Sequence, residues 1–327
     1  MMNPSIRAML TVAALLGVHG AGMKVEAQVT TSKTPTTQPL AGGLSAAEVH
    51  AIVAGSMNRS PMPCLRDPAV RRRAGEIAGR QGLIERIDAT LTPATPIPVL
   101  PYSAFRQYRR TGDREGYQNL LFTRLDQTEQ AAMACWLGHN RFTYLEDLLW
   151  ATCEATWWQL PAHEGLDADG RDRPIDLRVA TTSADLAIIT ELLAESLMPE
   201  VRDRVHAEIR RRTLDAFFNP QAGFWWKTCT NNWNAVCHGG VGIAAMLVEK
   251  DPRRLGRLIA ETLEGLPAFI DGFADDGGCT EGPGYWIYGF GWYVDFACCL
   301  HDFTGGRINI MADPKIARIC RYPLAVA

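Results

Sequence analysis

The chain has 327 residues, 47% hydrophobic and 21% charged, which supplies apolar material for one large core or two smaller ones and excludes a wholly disordered chain. Lys and Arg total 33 against 36 Asp and Glu, a net charge of -3, which excludes the global basic field of most nucleic-acid binders; an anionic ligand has to be met by a local patch. Nine cysteines with no CxxC pair, and no HExxH, give a metal site little support, and nothing in the sequence asks for a cofactor.

At the N-terminus Arg7 precedes an apolar stretch, Ala8 to Val18, that is too short to span a bilayer. Val25 and Ala27 suit the small-residue positions of a cleavage site, so residues 1–27 are expected to be a signal peptide and the protein to be periplasmic or secreted; the competing reading is a frayed apolar N-terminus. No membrane span is expected. For an exported chain an odd cysteine count leaves at least one free thiol. Several of the thiols, such as Cys135, Cys153 and Cys298, sit in apolar helical patterns, and most are expected to be buried, with room for one disulfide.

Residues 28–43, "QVTTSKTPTTQPLAGG", are too poor in apolar side chains to order themselves and read as a linker. Beyond them apolar residues recur at three- and four-residue spacing over 44–57, 66–89, 103–137 with a break near Thr111-Gly112, 141–160, 183–197, 199–217, 232–249, 252–270 and 283–303. Alternating strand patterns are nearly absent, so the expected class is all-α. Breakers such as "MPE", "NPQAG" and "KDP" join neighbouring helices by short turns, which predicts antiparallel packing. "CTNNW" from Cys229 is echoed fifty residues later by "CTEGPGYW" from Cys279, each before an aromatic-rich helix. Repeated helical hairpins of that period suggest a closed or partly closed double ring, with both Cys-Thr loops on one rim.

The first of these loops opens "NNWNAVCHGG", an unusual density of amides for a helix entrance. Helical spacing puts Asn231, Asn234 and His238 on one face, with Asn232 beside it; capping and loop-tying are the bland alternatives. After the second loop, Tyr285, Tyr288 and Trp292 share a face, and Trp286, Phe290 and Tyr293 another. An aromatic stripe is more often core than site. Gly282, Gly284, Gly289 and Gly291, however, are costly in a helix and suggest close approach to a neighbour or ligand. Amides, an imidazole and tyrosines suit β-elimination from a uronic acid: neutralising the carboxylate makes the C5 proton acidic, a Tyr or His removes it, and a Tyr protonates the leaving O4. An unperturbed Tyr titrates near 10, so a Tyr base needs activation by its surroundings.

"TNNWNAVCHGGVGIAAM" followed by "GLPAFIDGFADDGGCTEGPGYWIYGFGWY" resembles the toroid domain of heparinase II/III-like polysaccharide lyases, a group that includes alginate lyases, most strongly over 215–303 and more loosely from about residue 44. The resemblance implies an (α/α) toroid of antiparallel helical hairpins and an acidic polysaccharide or oligosaccharide as substrate. It gives the carboxylate-neutralising role to Asn231 or Asn232 and the acid/base role to Tyr285, with His238 as a second base or substrate contact. Asn234, Trp233, Tyr288, Glu281 and Trp226 are expected along the sugar. Where relatives carry His next to the Asn, this chain has Trp233. Relatives usually continue into β-sandwich domains, whereas this chain ends in "DPKIARICRYPLAVA", which reads as the interior of another helix; the expectation is a toroid domain over 44–327, truncated before the β-sandwich.

Two other readings compete with a lyase. A glycoside hydrolase on a similar helical ring needs two carboxylates, for which Glu281, Asp275 and Asp276 are candidates. An inactive glycan-binding remnant is the third. Trp136, Trp150, Trp157 and Trp158 are possible sugar platforms better explained as core, with Trp225 and Trp226 flanking the first motif. The runs Arg71-Arg72-Arg73 and Arg210-Arg211-Arg212 read as solvated helix faces that can attract polyanions.

Overall fold

The computed structural model describes residues 43–92, 94–163, 175–220 and 222–326, so the expected signal peptide and all but the last residue of the linker lie outside the described residues. Among the described residues the chain is mostly helical, and its β-structure is one isolated bridge between Phe273 and Cys279. The helices begin where the sequence supplies caps. Helix α1, Ala46–Ala54, opens on a capping box between Ser45 and Glu48. Helix α2, Pro68–Arg80, is capped by Asp67 with Pro at its first position. The expected single helix over 66–89 is divided there, because Gly82 turns left-handed at φ 59° and starts α3, Leu83–Thr90. Then follow α4, Tyr102–Thr111, α5, Glu115–Trp136, and α6, Phe142–Glu154.

The second half fixes the architecture. Helix α7, Leu177–Leu192, is followed by α8, Pro199–Ile209, which continues through a π-helical turn, Arg210–Leu214, into Asp215–Phe217. Next come α9, Asn232–Val248, and α10, Pro252–Asp271, the latter capped by Asp251. A helical turn, Pro283–Tyr285, and a π-helical turn, Trp286–Phe290, lead into α11, Gly291–Thr304, and the chain closes on α12, Pro314–Val326.

Apart from Trp233, every residue of α9 is buried, as expected of a helix that is apolar nearly all round and lies at the centre. Its glycines let neighbours approach closely. A Cβ at Gly240 would stand 2.6 Å from Ala180 O of α7, and one at Gly239 would stand 2.8 Å from Trp292 O of α11. Farther along, Gly242 lies under the Phe296 ring, and before α11 Gly289 lies against Asn232. Contact positions therefore rise together on α9 and α11, as they do on α7 and α9, where Trp226, before α9, donates to Ile175 O, just before α7. These three helices run in the same direction.

The intervening helices return. Along α7 and α8, Thr190 meets His206 at 3.0 Å and Ser183 meets Thr213 at 2.6 Å, a descending register. Along α9 and α10, His238 lies against Gly265, and Thr230, just before α9, against Gly272. Three parallel helices with antiparallel returns bring the N-terminal ends of α7, α9 and the α11 lead-in to one end of the protein. The N-terminal helix packs on this half as well: His50 of α1 rests on Gly256 of α10, and Arg307 donates to Ile52 O at 3.1 Å.

Of the arginine runs, the second is not wholly solvated. Arg212 is buried, donating to Glu208 at 2.7 Å and to the carbonyls of Cys153 and Ala155, and it lies over the Trp158 ring. A buried guanidinium keeps its charge only with partners of this number, so Arg212 fastens the end of α6 to α8 rather than serving a polyanion. Trp136 and Trp158 are core, while Trp150 is exposed. All nine cysteines are free thiols, so the disulfide for which the sequence left room is not formed; Cys298, expected inside, is exposed.

Candidate functional site at the parallel helix entrances

Two sequence motifs meet at the entrance of α9. Asn231 is the N-cap: extended at φ -102°, its side chain accepts from Trp233 N at 3.1 Å and takes the Cys229 thiol at 3.2 Å. Asn232 follows, only 4% exposed. The Glu281 carboxylate reaches it from the second motif, accepting the Asn232 backbone N–H at 3.0 Å and the side-chain amide, also at 3.0 Å. A carboxylate at a helix N-terminus satisfies an orphan donor and sits at the positive end of the helix dipole. This clasp and the packing of Gly289 on Asn232 hold the second motif to the entrance of α9 on either side of Tyr285 in the chain. Tyr285 is 53% exposed and Tyr288 half-buried.

The expected amide stripe faces inward instead. Asn234 is fully buried, and its amide donates to Lys227 O at 3.1 Å and Gly265 O at 3.0 Å. Its own oxygens lie 3.0 and 3.2 Å from His238 Nδ1, so that nitrogen carries the proton and Nε2 is left without a partner against Gly265. His238 is 0% exposed. Burial, with the Lys227 charge adding to it, pushes its imidazole down to about 3. His238 is thus enclosed in the core and not open at the surface, where its expected role at the sugar would place it. Trp226 is corrected likewise: it is buried, and its indole ties the loop before α9 to Ile175 O at 2.8 Å.

The second motif departs from ideal helical spacing. One π-helical turn shifts the register after Tyr285, so Trp292, expected to share the face of Tyr285, is buried while Tyr285 is open. Of the glycines read as close-approach sites, Gly289 is one; Gly282 instead serves a positive φ of 86°, and Gly284 faces open space.

Beside Trp233 stand residues the sequence reading passed over. His163, on the short turn Pro161–His163, packs edge-on against Trp233 with ring centroids 4.7 Å apart. Its Nδ1 lies 2.7 Å from Asp176, a buried carboxylate that also accepts Val179 N at 2.7 Å and Leu160 N at 3.0 Å. Trp225, 55% exposed, flanks Trp233 with centroids 5.0 Å apart. The signal that could have found this pair is "PID", an Asp placed to cap α7, downstream of a histidine in a Pro-containing turn. The α9 entrance thus carries Trp225, Trp233, His163, Asn232 and Glu281, with Tyr285 four residues beyond Glu281. A cavity of about 550 Å³ lies elsewhere, lined by Arg66, Trp136, Asn140 and Glu191 near the opposite, C-terminal end of α7.

Among the described residues, no group of three or more His, Cys, Asp or Glu is arranged to hold a metal ion, and no helix is long and apolar enough to cross a membrane. No protein-family model matches the chain, and no curated protein matches it.

Proposed function

We propose that the chain is an exported polysaccharide lyase that cleaves a uronate-containing glycan by β-elimination, on an (α/α) toroid whose inner wall is α7, α9 and α11. The observation that carries the reading is the clasp between Glu281 and Asn232, which joins motifs forty-nine residues apart, with Tyr285 exposed four residues after Glu281. Donors at that entrance already surround a carboxylate, that of Glu281. In the working complex the uronate carboxylate takes its place on Asn232, which lowers the cost of forming a carbanion at C5. Tyr285 passes a proton to the leaving O4. Trp233 and exposed Trp225 offer ring faces on which sugars stack. His238, Asn234 and Trp226 are left as the frame behind the rim, and Asn231 as its cap.

The test is incubation of the purified chain with alginate, heparan, hyaluronan and pectate while following the absorbance of the 4,5-unsaturated product. A rise with one of these polymers is expected. Cleavage without that absorbance indicates a hydrolase, and retention on immobilised glycan without cleavage indicates a binding remnant; either outcome displaces the lyase.

A further inference from the structure

We infer that His163, oriented by Asp176, is a second proton-transfer residue of this rim and takes the C5 proton of the uronate; the inference rests on the lyase reading. Asp176 is fixed by two backbone donors, Leu160 N and Val179 N, before His163 adds a third contact at 2.7 Å. A carboxylate held so firmly keeps the imidazole proton on Nδ1 and leaves Nε2 with its lone pair, the tautomer a general base requires. The ring stands on Trp233, the residue after Asn232, and 16% of the side chain remains open. Among the described residues no other histidine has a buried carboxylate on its ring: His238 is enclosed, His206 faces Thr190, and the His301 partner, Asp302, is exposed.

Position supplies the second argument. Helices α7 and α11 flank α9, so His163 approaches the α9 entrance from the α7 side and Tyr285 from the α11 side. For a sugar lying over Asn232 and Trp233, His163 Nε2 takes the C5 proton and the C5–H electron pair becomes the C4=C5 double bond. The C4–O4 bond breaks with its electrons on O4, and Tyr285 gives O4 its proton. Solvent then carries the proton from His163 back to Tyr285, which restores both groups with no oxidant or reductant.

The experiment compares the full chain with His163→Ala and His163→Gln on polyguluronate, polygalacturonate, polymannuronate and hyaluronan. Tryptophan fluorescence reports binding, and circular dichroism reports folding. The expected result is turnover of at least one of these polymers, a loss of at least about 100-fold in kcat in both folded variants with binding kept, and partial recovery of His163→Ala by added imidazole. If the parent chain forms unsaturated product and a folded variant does so within about threefold of it, His163 is not the base and the lyase reading stands. If the parent chain forms unsaturated product from no uronate, the lyase reading fails and this inference falls with it.

Discussion

The Glu281 carboxylate holds Asn232 by two nitrogens, its backbone N–H and its side-chain amide, each at 3.0 Å. The same carboxylate is the candidate acid of the hydrolase reading and, in the lyase reading, the group that a substrate uronate displaces, so one substitution separates the two readings. Glu281→Gln keeps an acceptor for Asn232 and is expected to cost about 1 kcal/mol or less of stability. It removes a negative charge that, in the lyase reading, faces an anionic sugar. The lyase reading expects unsaturated product to persist with a lower KM; the hydrolase reading expects all cleavage to stop. Initial rates across substrate concentration decide between them.

Tyr285→Phe deletes one exposed hydroxyl and nothing that packs. Stability is expected to stay within about 0.5 kcal/mol, because the side chain is 53% exposed and the ring remains. Turnover is expected to fall by about 10²- to 10⁴-fold, the range that a positioned proton donor contributes. A folded Tyr285→Phe variant with unchanged kcat removes Tyr285 from the mechanism.

Helix positions were legible because apolar spacing and Asp-Pro or Ser-x-x-Glu starts are local signals, and α1, α2 and α10 begin on such caps. Side-chain direction was less so. A π-helical turn leaves no mark in apolar spacing, yet the turn at Trp286–Phe290 separates Tyr285 from Trp292, which ideal spacing had joined. Asn234 and His238 do share a face, but which way it points is set by α10 and Gly265. The pairing of His163 with Asp176 spans thirteen residues without periodicity, so only the fold brings it out.

Two histidines make stability depend on pH. Burial first, then Lys227, lowers His238 from 6.5 to about 3, and burial first, then Lys250 and Arg202, lowers His206 from 6.5 to about 4. Below 6.5 the unfolded chain binds protons that the folded chain refuses, so their contribution is complete above that pH and is lost as pH falls toward the folded values. Each adds a slope of up to about 1.4 kcal/mol per pH unit in that window. Urea midpoints are expected to drop between about pH 6.5 and 4, and His206→Gln to flatten the slope while keeping a side chain able to reach Thr190.

The close register of α7 and α9 makes the last prediction. A Cβ on Gly240 would meet the Ala180 carbonyl oxygen at 2.6 Å and carbon at 2.7 Å, and this is backbone, with no flexible side-chain end to swing away. Gly240→Ala therefore forces two parallel helices apart and is expected to cost about 1–3 kcal/mol or more. Gly284 has nothing within 4 Å and sits in a helical turn, so Gly284→Ala is expected to add about 0.4–1 kcal/mol by narrowing the unfolded ensemble. Separating α7 from α9 also moves His163 relative to Asn232, so the Gly240 variant is expected to lose kcat even in its folded fraction. Urea unfolding of both variants checks the pair, and a cost below about 0.5 kcal/mol for Gly240→Ala would rule out the close approach of α7 to α9.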